Sequence, residues 1–376
     1  MDIIQCFPKE IIIEILTSLP LNDLVNLEST NSLMKEIVRS TKWNLTVRFR
    51  KPDYIQYVID NYKFIKYDFR NLVVTDENII SNIEFFSKCH TLNLNGCLEI
   101  TNESVKHLGN CHTLKLNRWR KIRHSKCRTS NKIYSLKITD ESVKFLGKCH
   151  TLDLTGCHEI TDESIIHLTK CHTIILHNCN KITDESVKNL GNCHILDLSY
   201  CGKITDESVK NLGNCHMLDL SFCGEWITDE SVKFLRNCHT LILGVCNKIT
   251  DESVKLLGDC LTLDLSWCKK ITDENVKYLG NCHSLNLTSC NKITDESVKL
   301  LGKCHTLRLS ECNLITDESV KLLGNCHTLY LIDCNQITDD SVKYLGNCNT
   351  LDITNCKNIS IEMKAELQKT VKKLNY

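Results

Sequence analysis

Residues 304–325 read CHTLRLSECNLITDESVKLLGN, and near-copies of this block return from Cys89 to the end of the chain. The anchor cysteines are Cys89, Cys111, Cys149, Cys171, Cys193, Cys215, Cys238, Cys260, Cys282, Cys304, Cys326 and Cys348, most of them 22 residues apart. A fixed period of this size marks a solenoid, in which each unit buries its apolar face only by stacking on its neighbours. Such a fold presents a long repeated surface rather than a pocket. Recognition of a macromolecule is therefore expected ahead of catalysis.

Within the block, 306–310 alternates polar and apolar side chains, the pattern of a short strand with one buried face. Leu307 and Leu309 point inward, and Cys312 and Ile315 follow. Thr316, Asp317 and Glu318 suit the start of a helix, where a hydroxyl can cap free N–H groups and acids meet the positive end of the dipole. Val320 and Leu323 share a helical face, and Gly324 is expected to end the helix. Asp317 and Lys321, four apart, are expected to pair on the outside.

The order of strand, turn and short helix, with apolar residues at L-x-L, then Cys, then Ile, resembles the leucine-rich repeat, and most closely its cysteine-containing subclass. Cys304 takes the first leucine place and Cys312 the Asn/Cys place. About twelve copies cover 89–356, with an insertion at 123–138, and Val74 to Ile79 echoes the ITDESV core as a worn first repeat within 49–88. Residues 357–376 read as a C-terminal helical cap. The resemblance implies an α/β horseshoe, with parallel strands on the concave face and short helices on the convex one.

Composition narrows the setting. The 376-residue chain has zero formal net charge, so no overall field draws it to nucleic acid or anionic membrane. No apolar run approaches the length of about 18 residues that spans a bilayer. The 25 cysteines are odd in number, and residues 1–18 carry Asp2, Lys9, Glu10 and Glu14, unlike a secretory signal. Cysteine at fixed repeat positions then reads as core packing in a reducing cytoplasmic or nuclear compartment. Ten anchors are followed by histidine, but neighbours on a strand point to opposite faces and cannot share an ion. No metal or other cofactor is expected, and the histidines should form a ladder along one edge of the sheet.

All three prolines, Pro8, Pro20 and Pro52, precede the repeats, which marks a separate N-terminal module at 1–48. Ile11, Ile12, Ile15, Leu16 and Leu19 form a helical stripe, Pro20 interrupts it, and Asn22-Asp23 can cap a second helix carrying Leu24 and Leu27. Leu33, Met34, Ile37 and Val38 make a third apolar set. So small a bundle buries little, and part of its stripe should meet a partner.

Phe7-Pro8-Lys9-Glu10, Ile11-Ile12, Ile15-Leu16, Leu19, Asp23-Leu24 and Trp43 stand in the register of the F-box, which this module resembles. Phe7 replaces the usual leucine, and Met34 a common tryptophan. The resemblance implies a small all-α module that docks a Skp-family adaptor, and through it a cullin, with Pro8, Ile11, Ile12, Ile15, Leu16, Leu19, Pro20 and Leu24 as adaptor-binding residues. Near-identical repeats and richness in Asn, Lys and Ile are also similar to F-box/leucine-rich-repeat proteins of amoeba-infecting giant viruses.

Departures from regularity at outward positions are where a client could be read. Four residues after the anchor stand Asp153, Ile175, Asp197, Asp219, Ile242, Asp264, Asn286, Arg308, Tyr330 and Asp352. Seven after it, the middle repeats place Tyr200, Phe222, Val245 and Trp267 in succession, where Gly96, Gly156, Asn178, Ser289 and Glu311 stand elsewhere. This strip, flanked by Asp197, Asp219 and Asp264 and joined by Trp226, suits a basic or basic–aromatic peptide. It also reads as local packing against the adjoining loop. The stretch 118–137 inserts about 16 residues, with Trp119 in a cysteine place and eight basic residues from Arg118 to Lys137, and reads as a binding element or as an idle loop.

No nucleophile–base pair, phosphate loop or metal spacing appears, so an enzyme is not expected. Two readings remain: the substrate-recognition subunit of an SCF-type cullin–RING ubiquitin ligase, binding a protein client on the concave face, and a scaffold or decoy that occupies the adaptor and recruits nothing.

Overall fold

The computed structural model describes residues 8–118 and 138–376. Phe7, Trp119 and the rest of the basic insertion lie outside the described residues. The chain divides into two compact units, Met1–Cys171 and His172–Tyr376.

The first unit opens with α1 (Lys9–Leu16), α2 (Leu21–Asn26) and α3 (Ser32–Ser40). Pro8 and Pro20 immediately precede α1 and α2, with a φ of −53° and −57° that leads into a helix. The second helix starts at Leu21 with no side-chain cap, so Asn22-Asp23 does not cap it: proline sets its start instead. Asn31 caps α3 by accepting the Met34 N–H at 2.9 Å. Ile12, Leu16, Leu24, Met34, Ile37, Val38 and Trp43 close the core, and the Trp43 indole N–H donates to the Val38 carbonyl at 2.7 Å.

The sheet begins earlier than the sequence reading placed it. β1 (Lys42–Arg48) pairs in parallel with β2 (Lys63–Asp68), and β2 with β3 (Thr91–Asn93). Trp43, Leu45 and Val47 carry the period-two pattern that this strand needs, inside a stretch read as helical. Residues 49–88 are ordered as regular elements. They hold α4 (Ile55–Asn61), β2, α5 (Asp76–Ile80) and α6 (Ile83–Phe86) around a cluster of Phe49, Tyr67, Phe69 and Phe86. The module is fastened to this sheet by Glu28, which accepts from Arg39 at 2.5 Å and from the Tyr62 hydroxyl at 2.8 Å.

β4 (Thr113–Lys115) pairs directly with β5 (Thr151–Asp153), so the insertion leaves the strand register intact. Asn102 accepts from the Thr139 N–H at 2.9 Å and the Ser142 hydroxyl at 2.8 Å, bonding the two repeats on either side of it. The second unit runs from the strand Thr173–Ile175 to the strand Lys373–Asn375, making fifteen parallel strands among the described residues. The terminal stretch adds that last strand, paired with Thr350–Asp352, after the helix Ile361–Thr370; sequence reading had foreseen only a helix.

What stacks the repeats is the ITDES core. Asp295 accepts from the Thr316 N–H at 2.9 Å, the Thr316 hydroxyl at 2.6 Å and the Ser319 hydroxyl at 2.5 Å, all one repeat further on. Asp206, Asp229 and Asp273 make the same clasp on their own successors. Asp317 therefore binds Thr338 rather than Lys321, and Lys321 pairs with Glu318 at 2.9 Å. The helices are also shorter than expected: Asp317–Val320 ends well before Gly324. That glycine answers a close approach instead, since a Cβ there would lie 2.5 Å from the Tyr344 carbonyl oxygen.

Every described cysteine is buried and unbridged. Cys201, Cys223, Cys268, Cys290 and Cys312 each place Sγ 3.1–3.3 Å from a carbonyl oxygen of the preceding repeat. Burial pushes the Cys201 thiol up to about 12. The imidazoles next to the anchors stack as His90–His112–His150 in the first unit and as His172–His194–His216–His239 and His283–His305–His327 in the second, at 4.3–4.6 Å between neighbours. Leu261 interrupts the second column.

Candidate functional site

Two surfaces carry the residues that the sequence singled out, one in each unit. The first is the outside of the helical module. Helical spacing splits its apolar stripe in two. Ile12 and Leu16, each 6% exposed, and Leu24, at 0%, face the module's own core. These three are corrected from adaptor-binding to core positions. Ile11 and Ile15 lie one position back along α1 and stay in water, 42% and 59% exposed. Pro8 and Pro20 are exposed and Leu19 is half-buried. The open face thus consists of Pro8, Ile11, Ile15, Leu19 and Pro20.

The second surface is the outer face of the sheet in the second unit. Asp197 and Asp219 stand directly opposite each other on paired strands, and Ile242 separates Asp219 from Asp264. Each carboxylate first serves its own turn. Asp197 accepts from the Ser199 N–H at 2.9 Å, Asp219 from the Ser221 N–H at 2.9 Å, and Asp264 from the Ser266 N–H at 2.8 Å. The second oxygen of Asp264 accepts from Asn286 at 2.7 Å, so both its oxygens are used. Asp264 is the least free of the three to meet a client. Burial lifts the Asp219 carboxyl above its usual range, and the charges of Asp197 and Asp264 push the same way.

These turns deliver the chain into a left-handed residue at the seventh place. Tyr200, Phe222, Val245 and Trp267 have φ of 61°, 58°, 66° and 62°. Gly96, Gly156 and Asn178 hold the same conformation, which costs an ordinary L-residue about 1–2 kcal/mol. The side chains stand outward, with Tyr200, Phe222 and Trp267 42–43% exposed and Val245 half-buried. Tyr200 and Phe222 stack at 4.2 Å, 9° from parallel, and His177 meets Tyr200 edge-on at 5.1 Å. Trp226 does not join them: it sits 61% exposed in the 3₁₀ turn Gly224–Trp226, and among the described residues it shares no ring contact with Phe222. The positive φ at this place is not evident from the strip itself; Gly96, Gly156, Asn178, Asp333 and Asn355 at the same place are the available signal, weakened by Ser289 and Glu311.

Further along, Arg308 lies 4.0 Å over the Tyr330 ring. Arg118, counted among the basic residues of the insertion, is corrected to a structural position. Its guanidinium donates to the carbonyls of Cys97 at 2.9 Å and Ile100 at 2.5 Å. Among the described residues no three His, Cys, Asp or Glu side chains converge as metal ligands would, and no helix is long and apolar enough to cross a membrane.

The comparisons agree with this layout. An F-box domain matches residues 4–45, and a leucine rich repeat matches 194–213, 260–280 and 283–302. No curated protein matches the chain in sequence. Among solved structures, a chain of the yeast Rad7–Elc1 complex is similar at 16% identity over 93% of this chain and 87% of that one, with a TM-score of 0.56. A leucine-rich-repeat protein of Leptospira interrogans is similar at 17% identity over 94% of both chains, with a TM-score of 0.51. At these identities the likeness is one of fold. The chain is an N-terminal helical F-box followed by a leucine-rich-repeat solenoid.

Proposed function

We propose that the protein is the client-recognition subunit of an SCF-type cullin–RING ubiquitin ligase and performs no chemistry itself. The observation that carries this reading is the two-sided F-box. One side is fastened to the sheet through Trp43 and the Glu28–Tyr62 bond, while Pro8, Ile11, Ile15, Leu19 and Pro20 leave an apolar face uncovered on the other. Such a face fits a Skp-family adaptor, which would bring the cullin. The solved Rad7–Elc1 complex, in which a chain of similar fold belongs to a two-protein assembly, supports that kind of partnership. The cytoplasm or nucleus is the setting such a partner requires. The resemblance to giant-virus proteins finds no support among the matches and plays no part in the reading.

The client surface in this reading is the strip of Tyr200, Phe222, Val245 and Trp267 with Asp197 and Asp219 beside it. Two of its features oppose stability: like charges face each other across paired strands, and large side chains occupy a left-handed position. Both make sense where a basic, aromatic-bearing protein segment is gripped. Trp226 and Asp264 stand at the margin of this surface.

The experiment is a co-purification from cells with Phe222→Ala and Trp267→Ala combined. Wild type should bring down adaptor, cullin and a ubiquitinated client, and the double variant adaptor and cullin alone. Adaptor recovered without cullin or client in the wild type would mean a decoy. A double variant that keeps its client would place recognition elsewhere.

A further inference from the structure

A second regular departure lies on the helical side of the repeats, at the residue between the lysine and leucine of K-x-L-G. In the second unit this place holds Asn189 and Asn211, then Phe234, Leu256, Tyr278, Leu300, Leu322 and Tyr344 in six consecutive repeats. All six are exposed, from 38% at Leu256 to 56% at Tyr278 and Tyr344. They are neighbours in space as well as in order. A Cβ at Gly258, Gly280 or Gly302 would come within 2.8–2.9 Å of the carbonyl oxygen of Tyr278, Leu300 or Leu322, so the chain at each place packs against the repeat before it. The buried leucine of the motif, such as Leu257 or Leu301, is the next residue along. Folding of a repeat therefore does not require an apolar residue at x, as Asn189 and Asn211 show.

We propose that this ridge is a homodimer interface, covered in solution by the ridge of a second copy running antiparallel. Three observations select that occupant. The first is area. Each side chain leaves roughly half its surface in water, on the order of 80–100 Å². Two such ridges together would bury about 1,000–1,200 Å², the lower edge of a specific interface. That total is reached only if all six positions are engaged at once. The second is pitch. A row that repeats once per stacked unit finds its own spacing again on a second copy of the chain. The third is charge. Five of the six flanking lysines are paired within their own repeats, among them Lys233 with Glu230 at 2.6 Å, Lys299 with Glu296 at 3.0 Å and Lys321 with Glu318 at 2.9 Å. Lys233, Lys277 and Lys343 also lie 5.3–5.5 Å over the rings of Phe234, Tyr278 and Tyr344. The fringe is neutral and mixed, which offers no grip to a strongly charged partner and no repulsion to its own copy. A dimer of this kind would carry two F-boxes and two client strips, and a client with two binding segments would be held by both.

Sedimentation velocity of the full chain from about 1 to 200 µM tests this, because interfaces of this size give micromolar affinity. Wild type should pass from monomer to dimer in that range, and Leu300→Lys with Leu322→Lys should weaken the dimer at least thirtyfold while its far-UV spectrum and melting stay as in wild type. Should the double variant fail to fold, Tyr278→Asn with Tyr344→Asn, which restores the polar residue found at 189 and 211, gives the same readout. A wild type that stays monomeric throughout overturns the proposal and leaves the ridge to a different protein. So does a dimer that survives a folded double variant.

Discussion

Ile15→Lys separates docking from folding in the F-box. Ile15 is 59% exposed at the last turn of a helix that has no basic residue there. A lysine at that end meets the negative pole of the helix, so the substitution should leave stability within about 0.5 kcal/mol. Burial of a whole isoleucine side chain is worth about 1.5–3 kcal/mol, and the open fraction of Ile15 accordingly about 1–2 kcal/mol on docking. The lysine forfeits this, and its ammonium must be left unpaired against an apolar face or bent away to reach water. Adaptor binding should fall by at least 2 kcal/mol, about thirtyfold. The assay is calorimetric titration of the full chain with a Skp-family adaptor, alongside a thermal melt. Leu16→Lys is the contrast: at 6% exposure its charge enters the core, so the module itself should unfold. A folded Ile15→Lys variant that binds adaptor within threefold of wild type would refute the assignment of this face.

Other consequences follow from the repeat. Asp295→Ala removes three hydrogen bonds to the next repeat and leaves the buried Ser319 hydroxyl without its acceptor, so urea unfolding should show a loss of about 2–4 kcal/mol, with Asp295→Asn intermediate. Burial opposes ionisation of Asp295, but the bonds from Ser319 and Thr316 outweigh it and hold the carboxyl below its usual range. Its stabilisation is therefore complete above about pH 4 and is lost as pH falls through the depressed value, which acid titration of the melting temperature should show. Burial, with repulsion between neighbouring rings, likewise holds His112 and His305 low. That contribution is complete above about pH 6.5 and disappears on further acidification, and His305→Leu, the residue type found at 261, should flatten the slope between pH 7.5 and 5.5. With Sγ engaged by backbone and the thiols raised, a chelator should leave the melting temperature unchanged and thiol reagents should stay slow until the chain unfolds; stoichiometric zinc in the reduced protein would contradict the packing role.

What the sequence disclosed and what it concealed divide along physical lines. The period, the inward leucines and the cysteine columns were legible because each is a local pattern repeated many times, and burial is what such patterns encode. The F-box was legible because Pro8, Ile12, Leu16 and Leu24 keep a fixed spacing. Within that spacing the sequence could not tell Ile11 and Ile15 from Ile12 and Leu16: all four are apolar and within two turns, and only the packed bundle decides which pair faces inward. The Asp clasp was misread as a helix-surface pair because its partners, Thr and Ser, lie 21 to 24 residues away. Strand β1 was missed because a single short alternation beside helical residues carries little weight until its neighbour at 63–68 supplies the pairing.

The seventh place shows how such a chain can carry recognition without weakening its frame. In a solenoid the stability terms are shared by every copy, so the consensus fills each place with the residue that stacks best. Glycine or asparagine is that residue where φ is near +60°, and Gly96, Gly156, Asn178 and Asn355 fit the rule. Seven successive repeats depart from it, at a cost of about 1–2 kcal/mol each relative to glycine: Ser289, Glu311 and Asp333 do so with polar side chains, and Tyr200, Phe222, Val245 and Trp267 with apolar or aromatic ones. The stack of Tyr200 on Phe222 returns about 0.5–1.5 kcal/mol, less than the strain of the pair. Exposed side chains that local energetics does not explain are best explained by what they bind. Substituting asparagine at Trp267 should therefore hold or raise the melting temperature while client binding falls, and a large loss of stability would instead show that the indole packs as part of the frame.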